Sequence, residues 1–141
     1  MKKYIFVLFL LGLVSLAVKA NTSSLLEISI KGNTYFVEVA DTPQKAQKGL
    51  MYKKSIPQNQ GMLFVFPYPS IVQMWMKNTY IPLDMIFMNS QNQVICLHKN
   101  ALPLDESIIS CPYPAQKVLE LNAGEIQDKQ IQLGDILTLK N

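Results

Sequence analysis

Polar side chains interrupt an apolar stretch in the middle of this chain. In MWMKNTYIPLDMIF, residues 74–87, Lys77, Asn78, Thr79 and Asp84 stand among Met, Ile, Leu, Tyr and Phe. Lysine and asparagine donate hydrogen bonds, threonine does both, and aspartate accepts, while Trp75 or Tyr80 offers an apolar plate. That mixture suits a small polar ligand such as a glycan fragment, a peptide end or a carboxylate. The same residues admit a plainer account. Lys77 and Asp84 would form a partly exposed bridge contributing about 0–1 kcal/mol, with Asn78 and Thr79 bonding their own backbone as turn residues.

The elements that must position these groups are short strands. Residues 71–77 and 84–89 read as two strands, and pairing them as a hairpin across Asn78 to Leu83 sets Lys77 opposite Asp84. Trp75 then faces Ile86 and Gln73 faces Met88, with Met74 and Met76 against Phe87 and Met85 on the other side. Upstream, residues 25–30 and 34–40 alternate in the strand manner about a Lys31-Gly32-Asn33 turn, which predicts a hairpin. Thr42-Pro43 reads as the cap and first position of a short helix that Gly49 ends. Met62 to Phe66 is a continuous apolar run, a strand buried on both faces that Pro67-Tyr68-Pro69 closes. Further strands are expected at 93–101, 117–121 and 136–139, a brief helix after Asn122-Ala123-Gly124, and a proline-rich covering loop over 102–115. The pattern predicts a mainly β fold, a compact single-domain β-barrel or sandwich of about eight short strands with two short helices.

The chain opens with Met1-Lys2-Lys3, an apolar run from Tyr4 to Val18, and Lys19-Ala20. A basic start, an apolar core and small residues before a cut form the secretory-signal pattern. The expectation is a signal peptide over 1–20, cleaved after Ala20, and one β-rich domain over 21–141 that is periplasmic or extracellular. Membrane contact is then expected only through the signal before cleavage. Beyond residue 20 ten Lys face ten Asp or Glu, and Arg is absent. The sequence pI near 8.8 therefore belongs mostly to the signal, and nucleic acid, which requires a basic footprint, is not an expected partner. Cys96 and Cys111 are an even pair in an exported chain, which reads as a disulfide, with two buried thiols as the other reading.

Five segments carry a resemblance: VEVADTPQKAQKGLMYK (37–53), GMLFVF (61–66), MWMKNTYIPLDMIF (74–87), VLELNAG (118–124) and QLGDIL (132–137). In that order, from about residue 26 to the C-terminus, the chain resembles domain-of-unknown-function family 192, small and often exported bacterial and archaeal proteins. The resemblance implies a compact, mostly β domain with a short helix near its start, and it implies no activity. Its hallmark positions fall on Gly49, Leu50, Met51, Gly61, Trp75, Met76, Lys77, Asn78, Thr79, Pro82, Leu83, Asp84 and Glu120. Lys48 departs from the Arg that many relatives carry, and Lys cannot hold a carboxylate in bidentate fashion. The resemblance makes Trp75, Lys77, Asn78, Thr79, Asp84 and Glu120 the candidate ligand-binding set.

Other chemistries have fewer parts. Asp84 and Glu120 would be the acid and base of a glycan-directed hydrolase if their separation allowed it. Six methionines lie within 51–88, near His98, and thioethers with imidazole suit a periplasmic carrier of cuprous ion. Alternating Met and Trp are, however, ordinary core filler. One histidine and no glycine-rich phosphate loop leave nucleophilic catalysis and nucleotide binding unsupported. The sequence reading is an exported domain of the cell envelope, expected to be monomeric and without a cofactor. It would bind an unknown small molecule, glycan or protein rather than catalyse a reaction.

Overall fold

The computed structural model describes residues 24–140, so the predicted signal segment lies outside the described residues. β1 (Leu26–Ile30) and β2 (Asn33–Ala40) form the expected antiparallel hairpin, with Ile30 opposite Asn33. Lys31 and Gly32 take φ of 49° and 76°, the left-handed pair whose twist matches that of the flanking strands. Thr42 caps α1 (Pro43–Lys48), its Oγ1 accepting from the Lys45 amide at 3.3 Å. The helix carries the chain over so that β3 (Gln60–Ser70) lies parallel to β2.

β4 (Gln73–Met74), β5 (Leu83–Met88), β6 (Val94–Ala101), β7 (Ile109–Ser110) and β8 (Ala115–Asn122) follow, then α2 (Glu125–Asp128) and β9 (Leu137–Leu139). Seven strands make one sheet in the order β6-β5-β8-β3-β2-β1-β9, and β4 pairs with β7 apart from it. The sheet curls into a half-barrel until its edges meet at one end. Gln93 bridges Ile136, the Val94 amide donates to Asp135 O at 2.8 Å, and the Leu137 amide donates to Asn92 O at 3.0 Å.

Three expectations need correction. The hairpin of 71–77 with 84–89 does not form. β5 is central, bonded to β6 on one side and β8 on the other, which leaves no edge for the preceding segment. Only Gln73–Met74 of that segment is strand, and its partner is β7 in the covering loop. The apolar run at 62–66 does not stop at Pro67, because β3 continues to Ser70 across a register shift between Val65 and Ser70. A strand of this kind keeps proline where no ladder donor is required.

The curled sheet separates two cores. Ile28, Ile30, Val37, Leu63, Ile86 and Leu119 fill the inner one. Met62, Phe64, Met85, Phe87 and Val118 face outward, where Leu50, Val72, Met74, Met76 and Cys111 cover them. All six residues of β5 are buried, as expected of a strand covered on both faces. Alternation along a strand assigns each polar residue to one side or the other. Asp84 is the lateral partner of Leu121 and points inward, whereas Glu120 is the lateral partner of Met62 and Met85 and points into the outer layer.

Candidate functional site

Asp84 is fully buried. Its Oδ1 accepts from the Asn100 amide at 2.8 Å, and its Oδ2 accepts from the amides of Gly124 at 3.1 Å and Ile126 at 2.8 Å. Gly124, with φ of 99°, turns the chain from β8 into α2 in a conformation that glycine adopts at no steric cost. One carboxylate thus ties the end of β6 to the start of α2. Beside it the Tyr35 hydroxyl donates to Glu125 Oε2 at 2.7 Å, and burial, with that carboxylate alongside, raises the tyrosine pKa above its ordinary value. The expected Lys77–Asp84 pairing is absent. The Lys77 ammonium instead lies 5.0 Å from the centroid of the Trp75 ring, a cation–π contact.

The segment around Lys77 is a turn held in an unusual backbone. Tyr52, Asn78 and Leu104 have φ of 65°, 52° and 63°, and left-handed conformations of non-glycine residues cost about 1–3 kcal/mol each. They are cross-bonded. The Tyr52 amide donates to Asn78 O at 2.9 Å, the Asn78 side-chain amide donates to Tyr52 Oη at 2.9 Å, and the Leu104 amide donates to Thr79 O at 3.1 Å. Thr79 bonds within the turn, its hydroxyl donating to Lys77 O at 3.2 Å. Tyr52 and Tyr80 meet edge to face with centroids 6.2 Å apart. The Cys96–Cys111 disulfide, with Cα atoms 5.9 Å apart, fastens the 102–111 loop that supplies Leu104 to β6.

Two adjoining cavities open between α1 and this turn. The outer cleft, about 370 Å³, is bordered by Gln44, Lys48, Tyr52, Trp75, Lys77 and Asn78. The inner recess, about 60 Å³, reaches Gly49, Phe64, Thr79 and Glu120, and the two cavities share Gln47, Lys48, Met51 and Trp75. Gly49 has φ of 48°, and a Cβ there would stand 3.3 Å from Phe64 Cζ. The recess floor is a buried acid. Glu120 is 4 % exposed, burial pushes its pKa up to about 8, and none of the side-chain hydrogen bonds among the described residues involves its carboxyl.

The predicted set therefore divides. Trp75, Thr79 and Glu120 meet at the recess, and Trp75, Lys77 and Asn78 meet at the outer cleft, while Asp84 lies on the opposite face of the sheet with its donors in place. The two carboxylates of the hydrolase reading do not share a cavity. Five of the six methionines of the cuprous reading pack instead as core, Met62, Met74, Met76 and Met85 in the outer cluster and Met88 in the inner one, while Met51 lines both cavities. Sequence reasoning missed Tyr52 and Gln47 as cleft residues. The only local signal was their place in the stretch Gln47–Tyr52, which also holds the Gly49-Leu50-Met51 hallmark.

No match was found among curated proteins. Solved structures share the fold, among them the following two. A chain from Sinorhizobium meliloti 1021, provisionally described as a transcription regulator, is 40% identical with a TM-score of 0.79, over 83% of this chain and 95% of that one. A protein of unknown function from Novosphingobium aromaticivorans DSM 12444 is 31% identical with a TM-score of 0.78, over 81% of this chain and 84% of that one. The sequence model of the family described as an uncharacterized ACR matches residues 26–139, and the chain belongs to that family, DUF192.

Proposed function

We propose that the protein is an exported binding domain of the cell envelope that takes a small ligand in the cleft between α1 and the turn at 75–80. One observation carries this reading. Two exposed aromatic rings, Trp75 and Tyr52, and two lysines, Lys48 and Lys77, converge on one cleft, whose turn is cross-bonded between Tyr52 and Asn78. Trp75 is 41 % exposed and Tyr52 59 %. Large rings left in water beside convergent polar groups are the usual furniture of a binding site. Export rests on the signal pattern at the N-terminus, and a disulfide is at home in an oxidising compartment.

Two other readings are less well supported. Nucleic-acid regulation, the description given to the Sinorhizobium chain, lacks a basic footprint here, since the lysines after residue 20 are balanced by acids. Paired-carboxylate hydrolysis lacks its second carboxylate in the cleft. The test is retention of the purified protein on an immobilised panel of envelope glycan fragments and short peptides. The expected outcome is capture that Trp75→Ala and Lys77→Ala each weaken by about tenfold or more without altering the fold. Capture that neither substitution changes would place binding elsewhere.

A further inference from the structure

We infer that the inner recess receives the ammonium group of a small zwitterionic ligand, with Glu120 as its counter-ion and with Lys48 and Lys77, which both border the outer cleft, holding the ligand's anionic end. This rests on the reading of the cleft as a binding site and names the chemistry of its ligand.

Glu120 is more than nine-tenths buried and aims into a cavity, and its carboxyl takes part in no hydrogen bond among the described residues. Burying a charge without a partner is costly, and burial pushes the Glu120 pKa up to about 8, so near neutral pH the carboxyl is mostly protonated until a cation joins it. The cavity of about 60 Å³ has room for a few water-sized groups, since one water needs about 10–15 Å³ of such volume. It is far smaller than the outer cleft of about 370 Å³, so it suits a small head group such as an ammonium, with the rest of the ligand in the cleft. A divalent cation is a poor occupant, because calcium takes about 6–8 oxygen ligands and no cluster of three His, Cys, Asp or Glu exists among the described residues.

The charges bordering the outer cleft have the opposite sign. Lys48, at the end of α1, borders both cavities, and Lys77 borders the outer cleft. An acid within and cations at the mouth select a dipolar molecule, amine first. Lys48 is the other titratable side chain lining the recess. β3 contributes Phe64, the 73–79 segment contributes Gln73, Met74, Trp75 and Thr79, and β5 sets Met85 beside Glu120. His98 is the register partner of Met85, one strand further away.

Binding has a definite proton balance. The neutral carboxyl meets the ammonium, the ion pair forms, and one proton leaves Glu120 for solvent. Affinity therefore rises with pH below the carboxyl's pKa and levels off above it.

The experiment is isothermal calorimetry of the purified protein with 6-aminohexanoate, hexanoate and hexylamine, between pH 6 and pH 9 and in buffers of different ionisation enthalpy. The expected result is binding of 6-aminohexanoate whose affinity rises about tenfold per pH unit up to about pH 8, with about one proton released at neutral pH. Hexanoate should not bind. Lys48→Ala and Lys77→Ala should remove the preference for 6-aminohexanoate over hexylamine, and Glu120→Gln should abolish the pH dependence and most of the affinity. Absence of binding at pH 8, a pH-independent affinity without proton release, or equal binding by Glu120→Gln would overturn the inference. The wild-type pH series decides the matter even if a variant folds poorly, which circular dichroism would show. Capture of panel ligands that depends on Trp75, without any 6-aminohexanoate binding, would remove this inference and leave the binding-domain reading standing.

Discussion

Asp84 and Glu120 occupy adjacent register positions on β5 and β8 and face opposite sides of the same sheet. Asp84 accepts three backbone amides and serves the fold, whereas Glu120 forms the unpartnered floor of a recess. Two carboxylates of one family signature therefore have separate roles, and substitutions should separate them.

Asp84→Ala leaves three backbone donors without an acceptor and is expected to cost about 3–5 kcal/mol, lowering the melting temperature by roughly 10 °C or more. Lys77→Ala removes only a half-exposed contact with Trp75 and should cost less than about 1 kcal/mol. Parallel thermal melts check both. Equal losses would restore the ion pair that the geometry denies.

Glu120 gives stability a pH dependence of definite sign. Its folded pKa, raised to about 8 by burial, exceeds the unfolded value of about 4.3, so the folded chain binds more protons between the two. Stability is fully present below the unfolded value, falls by up to about 1.4 kcal/mol per pH unit as pH rises through the window, and is level above it. Urea unfolding at pH 5.5 and pH 8.5 should show Glu120→Gln gaining on the wild type at the higher pH. The same difference at both pH values would mean that Glu120 titrates normally.

Gly61→Ala should be among the most damaging substitutions in the sheet. A Cβ at that position would lie 2.2 Å from the Glu120 carbonyl oxygen and 2.8 Å from Leu121 Cδ2. Backbone cannot yield as a flexible side chain can, so β3 or β8 must shift, at a cost of about 3 kcal/mol or more. Urea midpoints compare the two proteins, and a loss below about 1 kcal/mol would show that the strands approach less closely.

The Cys96–Cys111 bridge closes a loop spanning 15 residues, for which the chain-entropy account gives about 3 kcal/mol. Because the same loop bonds the cleft turn through Leu104 and Asp105, reduction should also speed amide exchange at Leu104 and Met76. Hydrogen-exchange mass spectrometry with and without reductant reads this. Unchanged exchange there would show that the turn holds its shape unaided.

How far the sequence carries depends on the range of each contact. The β1–β2 hairpin, the Thr42 cap, the Gly49 stop and the strands at β5, β6 and β8 were legible because alternation and turn chemistry are local. The pairing of β5 was not. Its partners lie further along the chain, and the hydrophobic pattern of residues 71–77 fits a strand whether or not an edge is free. The same limit misplaced Asp84, whose donors belong to Asn100, Gly124 and Ile126. The cleft was partly legible, because Trp75, Lys77, Asn78 and Thr79 are neighbours in sequence. Tyr52 and Lys48 reach it from α1 and the turn that follows, and the left-handed backbone at Tyr52 leaves no mark on residue type.

Trp75 is the chain's single tryptophan and stands between the two cavities, which makes its fluorescence the most direct reporter of the central claim. Ligands captured by the protein should be titrated in while its emission is followed. A saturable change in intensity or wavelength, with a midpoint matching the calorimetric affinity and weakened in Lys77→Ala, is what the cleft predicts. Ligands that bind by calorimetry yet leave the emission unchanged would contradict it.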